Sequence, residues 1–98
     1  MVFFCIADRE SGLGFRLAGV ETRDVSSRDE ALDALSAARS DKDVGIILIT
    51  SKAADLVRDE VSEHISLNPM PLILEVPSKG DFRPRKSAGE LLRQIAGM

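Results

Sequence analysis

Apolar residues gather in three short runs along the chain, Val2–Ala7, Gly45–Thr50 and Leu72–Val76. Each is nearly continuous and rich in β-branched or aromatic residues, as in strands covered on both faces of a parallel sheet. A fourth segment, Val20–Val25, interleaves Glu21, Thr22, Arg23 and Asp24 and reads as an edge strand, where charge discourages strand addition. Between these runs the period lengthens to that of a helix. Ala31, Leu32, Leu35 and Ala38 stripe a helix over Ser27–Arg39, with Ser27 and Glu30 spaced as a capping box. Ala53, Leu56, Val57, Val61 and Ile65 stripe another over Lys52–Ile65, and Ala88, Leu91, Leu92 and Ile95 a last one over Ser87–Ala96. Leu13–Ala18 reads as a short helix ended by Gly19.

The alternation predicts an α/β fold. Its four-stranded parallel sheet has order 2-1-3-4 with helices on both faces, like a truncated flavodoxin or receiver domain, and a C-terminal helix follows. Ninety-eight residues make one domain, 1–98. Thirteen Lys and Arg against sixteen Asp and Glu, a formal charge of −3, argue against a nucleic-acid binder. No apolar stretch approaches the ~20 residues of a membrane span, and the N-terminus lacks the basic region of a signal peptide. The lone Cys5 excludes an internal disulfide framework and a Cys-rich zinc site, and reads as a buried, reduced thiol.

In such sheets ligands bind beyond the C-terminal strand ends where strand order reverses, here between the first and third strands. Asp8, Arg9, Glu10, Thr50, Ser51, Ser78 and Lys79 fall there. Asp8 and Glu10 suit a divalent cation, but a phosphorylatable receiver needs an Asp ending the third strand, and this chain has Thr50-Ser51 there. On the alternative reading Asp8 begins a loop and Thr50 or Ser51 caps the next helix. Gly12-Leu13-Gly14 is too little for a dinucleotide fingerprint, since position 17 is Leu; a tight strand-to-helix turn explains the glycines better. His64, the only histidine, reads as a solvated helix-end residue, and Glu75, inside an apolar strand, as a salt-bridge partner. No constellation supports catalysis, a metal or a cofactor. Binding is better served. Phe15 and Arg16 are candidate anchors, and the 77–86 loop sets Phe82 among Lys79, Arg83, Arg85 and Lys86.

Several stretches together carry a family resemblance. They are Ile6-Ala7-Asp8, Gly14-Phe15-Arg16-Leu17-Ala18-Gly19, Asp43–Thr50, and Pro71–Lys79 with its Val76-Pro77-Ser78-Lys79 end. In order and spacing they resemble the F subunit of the V-type and archaeal-type rotary ATPases. The resemblance implies a non-catalytic component of the central stalk, at the cytoplasmic side and peripheral to the membrane, that binds the coiled-coil D subunit and modulates ATP hydrolysis. It assigns partner contact to Phe15, Arg16, Leu17 and Ala18, joined by Lys79 and Phe82 of the loop. It further implies a movable helix over 87–97, carrying Leu91, Leu92 and Ile95, that reaches the catalytic A/B ring. No nucleic acid, cofactor or membrane insertion follows from it. The chain departs from the family at Phe3-Phe4-Cys5 and in the polar Val20–Val25 segment. The rival readings are a receiver-like regulator without its phosphoacceptor and a small-ligand sensor at the same strand ends.

Overall fold

The computed structural model describes residues 2–67 and 70–81. Four parallel strands, β1 (Val2–Ala7), β2 (Glu21–Asp24), β3 (Val44–Thr50) and β4 (Leu72–Val76), line up as β2-β1-β3-β4, the expected order. The helices are α1 (Arg9–Leu17), α2 (Arg28–Ser40), α3 (Ser51–Leu56) and α4 (Arg58–Leu67). The expected helix over 87–96, with Leu91, Leu92 and Ile95, lies outside the described residues, as does Phe82.

Strand alternation divides the sheet. Phe4, Ile6, Ile47, Ile49 and Ile73 face α2, α3 and α4, and with Ala31, Ala34, Leu35, Ala53, Val57 and Val61 they form the core. Ala7 faces the opposite way, onto α1. Gly12 of α1 comes so close to it that a Cβ at position 12 would lie 3.5 Å from the Ala7 Cβ and only 2.3 Å from Oδ1 of Asp24. Asp24 is the register partner of Ala7 on β2, and its Oδ1 is buried, 2.8 Å from Arg16 Nη2. Gly12→Ala gains ~1 kcal/mol of helix propensity but displaces this wedged carboxylate, at an overpacking cost of about 1–3 kcal/mol. The net is a modest loss in urea unfolding, largely recovered in Gly12→Ala/Asp24→Ala; equal stability of Gly12→Ala and wild type would refute the wedge.

Two helices differ from their sequence pattern. α1 starts at Arg9 rather than near Leu13, because the Asp8 side chain accepts the Ser11 N–H and serves as N-cap. Gly12 and Gly14 therefore lie inside a helix, not in a turn. The far end is as expected: Gly19 at φ +86° follows Ala18, and Val20 and Gly19 donate N–H bonds back to the Phe15 and Arg16 carbonyls, a Schellman closure. The predicted Lys52–Ile65 helix is instead two, α3 and α4. Val57 leaves helical backbone (φ −135°, ψ 40°) and is wholly buried, while Arg58 pairs with Asp55 and Glu75. Ile65, expected on the buried stripe, is exposed on α4. At α2, Ser27 caps the Glu30 N–H, but the Glu30 carboxylate reaches back to the N–H and hydroxyl of Ser26, one residue upstream of a regular capping box.

His64 is not solvated. It is 3% exposed, with Nε2 2.7 Å from the Pro71 carbonyl. Glu75 does pair, with Arg58. Cys5 is a buried free thiol, pushed up to about 12 by burial and by the charges of Asp24 and Asp8.

Candidate functional site

The strand ends where ligands are expected hold a closed hydrogen-bond knot. Asp8 leaves β1, Thr50 and Ser51 leave β3, and Ser78 follows β4, so the parallel register brings all four together. Ser11 joins them from the first turn of α1. Asp8 Oδ1 accepts from Thr50 Oγ1 at 2.8 Å and Ser78 Oγ at 2.7 Å, and Oδ2 accepts from Ser11 Oγ at 3.0 Å. Ser51 Oγ donates to Asp81. Each of these hydroxyls also accepts a backbone N–H. Thr50 accepts from Asp8 at 3.1 Å, Ser78 from Lys52 at 2.9 Å, Ser51 from Ser78 at 2.9 Å and Ser11 from Lys79 at 2.8 Å.

The chemistry of this knot follows from its tally of donors and acceptors. Every hydroxyl proton in it is committed to a carboxylate, so none is poised for attack. Burial pushes the Asp8 carboxyl up, but the hydrogen bonds from Ser78, Thr50 and Ser11 outweigh it and hold the group below its ordinary value. Among the described residues no group of three His, Cys, Asp or Glu side chains is arranged to hold a metal ion. The knot ties the ends of β1 and β3, the first turn of α1 and the segment after β4 to one another. Sequence reasoning placed Asp8, Thr50, Ser51 and Ser78 at the switch point but missed Ser11 and Asp81. The D-x-x-S spacing of Asp8 and Ser11, a cap followed by an N3 hydroxyl, was the available signal for the first.

A second site lies beside the knot, on α1. A groove of about 410 Å³ runs between this helix and the end of β4, lined by Glu10, Leu13, Gly14, Phe15, Leu17 and Lys79 together with Ser11 and Pro77. Three residues expected to contact a partner, Phe15, Leu17 and Lys79, thus share one concavity. Arg16 does not join them, since its guanidinium turns to Asp24 on β2. Ala18 is the exposed C-cap of the same helix. Leu13 and Leu17, one helical turn apart, are 58% and 80% exposed. Between them Gly14 contributes only backbone, and a Cβ there would meet nothing within 4 Å. No packing constraint accounts for that glycine; it leaves the groove floor open. The Lys79 backbone N–H is pinned to Ser11, so the knot sets the height of the groove's far wall.

The ATP synthase (F/14-kDa) subunit family model matches residues 3–95. The F subunit of the A-type ATP synthase of Methanocaldococcus jannaschii is 30% identical over 95 residues, covering 95% of this chain and 92% of that protein. Its counterpart in Methanothermobacter thermautotrophicus is 31% identical over 96 residues, covering 95% and 90%. The F subunit of the V-type proton ATPase of Dictyostelium discoideum is 31% identical over 96 residues, covering 85% and 78%. No described helix is long and apolar enough to cross a membrane. With its parallel β2-β1-β3-β4 sheet and these relatives spanning nearly its whole length, the chain belongs to the ATP synthase (F/14-kDa) subunit family and is an accessory, non-catalytic component of a rotary ATPase.

Proposed function

We propose that this protein sits in the central stalk, peripheral to the membrane on the cytoplasmic side, and grips the coiled-coil D subunit with the α1 groove. The observation that carries this reading is the bare Leu13/Leu17 ridge beside a glycine-floored groove. Two leucines one turn apart present the periodicity that one helix offers another, and the exposed Gly14 lets a partner helix approach the α1 backbone closely. Glu10 and Lys79 supply opposite charges among the lining residues to set the partner's register. Nothing in the site turns over a substrate; its contribution to the enzyme is mechanical.

The same proposal gives the 87–97 segment a regulatory part. Its Ala88, Leu91, Leu92 and Ile95 stripe is an amphipathic face that exchanges a place on this domain for contact with the A/B ring, so that ATP hydrolysis senses the rotor state. The test mixes the full chain with the D subunit of the same complex. A one-to-one complex at micromolar concentration is expected on size-exclusion chromatography, and its absence overturns the stalk reading. Deletion of residues 87–98 leaves that complex intact and alters ATP hydrolysis by the reconstituted assembly; unaltered hydrolysis removes the regulatory part alone.

The receiver and ligand-sensor readings lose their basis in the knot. Its hydroxyls are already paired to carboxylates and backbone, and β3 ends on Thr50 where a receiver carries its phosphoacceptor.

A further inference from the structure

One face of the sheet is left half open along β3 and β4. α1 packs over β1 and β2, and α2, α3 and α4 cover the opposite face. On the α1 side the parallel register sets Phe3, Ile46 and Leu72 in one row and Cys5, Leu48 and Leu74 in the next. Phe3 is 49% exposed, and Ile46, Leu48, Leu72 and Leu74 are only half-buried. On the other face of the same strands Phe4, Ile47, Ile49 and Ile73 are 6% exposed or less. The open strip adjoins the α1 groove, since Pro77, directly after β4, lines that groove with Gly14 and Phe15.

Two observations bear on what covers it. The first is where the chain goes. Beyond β4 it is carried to the start of α1, where the Lys79 N–H donates to Ser11 Oγ, and the Asp81 N–H returns to the Ser78 carbonyl in a turn with Gly80 at φ +78°. Residues 82–98 follow from this corner. A link over 82–86 spans up to about 17 Å. A helix over 87–97 is about 16 Å long, shorter than the ~23 Å of a strand of seven residues such as β3. The segment therefore reaches the strip and fits along it, antiparallel to the strands. The second observation is pattern. Ala88, Leu91, Leu92 and Ile95 make one apolar stripe, which needs cover. The α2–α4 side is already filled by the core, and the tether holds the stripe near the open side at an effective concentration of about millimolar.

We propose that residues 87–97 lie on the strip of Phe3, Ile46, Leu48 and Leu74, beside α1, and that this docked helix and the D subunit exclude one another. The exclusion rests on the stalk reading above; the docking does not. Packed helices lie about 8–10 Å apart, so a helix on the strip takes the flank of α1 that Gly14 leaves open, the volume the coiled coil needs. Binding of the D subunit then frees the Leu91, Leu92 and Ile95 face for the A/B ring, and by linkage a docked tail weakens D-subunit binding by the same factor. The tail is a latch on the coiled-coil site.

The test uses the full chain, ¹⁵N-labelled, with a nitroxide on Gly97→Cys; Cys5 is wholly buried and stays unlabelled. Broadening of backbone amides is expected to be strongest at Phe3, Ile46 and Leu72 and to fall off toward Lys52 and Ser78 at the other end of the sheet. Adding the D subunit is expected to relieve it. Leu91→Asp/Ile95→Asp abolishes the broadening and tightens D-subunit binding about tenfold in isothermal titration, the factor for a latch closed about ten to one. Phe3→Asp, at an exposed position, reads the same contact from the sheet side should the tail variant aggregate. Broadening that is absent, or even along the sheet, overturns the docking. Broadening that persists with the D subunit bound, or unchanged affinity in both variants, overturns the exclusion alone. Failure to form any complex with the D subunit removes the stalk reading and the exclusion with it, and the broadening alone then decides the docking.

Discussion

Leu13→Asp/Leu17→Asp is expected to lose binding to the D subunit by about 100-fold or more while melting within ~2 °C of wild type. The two leucines are largely exposed on α1, so removing them costs the isolated domain little hydrophobic burial. At a helix–helix contact the balance reverses. Each leucine would be desolvated at the centre of the interface, and a carboxylate in its place brings an unpaired charge into a closed apolar contact. Losses of ~2 kcal/mol or more at each of two central anchors reach that factor. Isothermal titration measures it. The control is Leu67→Asp, at an exposed leucine of α4 on the other side of the sheet, which leaves binding unchanged. If the double variant binds like wild type, the ridge is not the gripping surface, whatever the stoichiometry of the complex.

Asp8→Ala is expected to destabilise the domain by about 3 kcal/mol, the larger of the stability effects. The carboxylate accepts from three hydroxyls and one backbone N–H. Its removal leaves Thr50 and Ser78, both buried, with donors that find no substitute. Stranding buried donors costs ~1–3 kcal/mol each before relaxation, and the loss of the α1 cap adds ~1 kcal/mol. The pH dependence has a definite sign. The folded-state value of Asp8 lies below the ordinary one, because hydrogen bonds to the ionised form outweigh burial. The unfolded chain therefore binds the proton more readily. The stabilisation is complete above the unfolded value of about 3.9 and is lost as pH falls below it toward the folded value. Urea unfolding of wild type and Asp8→Asn between about pH 3 and 7 checks this. The stability gap is expected to be constant above about pH 5 and to narrow on acidification. A gap independent of pH would mean that Asp8 stabilises only by packing.

β1, β3 and β4 were legible because their runs are almost continuously apolar and leave few polar residues to confuse the period; β1 and β4 fall on the segments read from sequence. The start of α1 was not. Reading glycines as turn residues ignores that Asp8 can cap a helix upstream of the first obvious stripe, and that Gly12 answers to Asp24 on a neighbouring strand. The α3–α4 break was equally hidden. Its apolar spacing is helical throughout, and only the Arg58–Glu75 pair and the burial of Val57 reveal the turn. His64 was misread for the same reason. Nothing local announces that the Pro71 carbonyl, seven residues on, will cover it.

Local order of apolar and polar residues was sufficient to specify the alternation of elements, because the period of each depends on neighbours within a turn or a strand; the parallel sheet followed from that alternation, and the family from motifs in order along the chain. Tertiary structure alone decided which side chains meet. It closed three hydroxyls around Asp8, sent Arg16 to β2 and away from Leu17, and set Lys79 opposite α1. Those contacts join residues up to 70 positions apart, and the geometry that brings them into hydrogen-bond reach is a property of the folded sheet that no local pattern encodes.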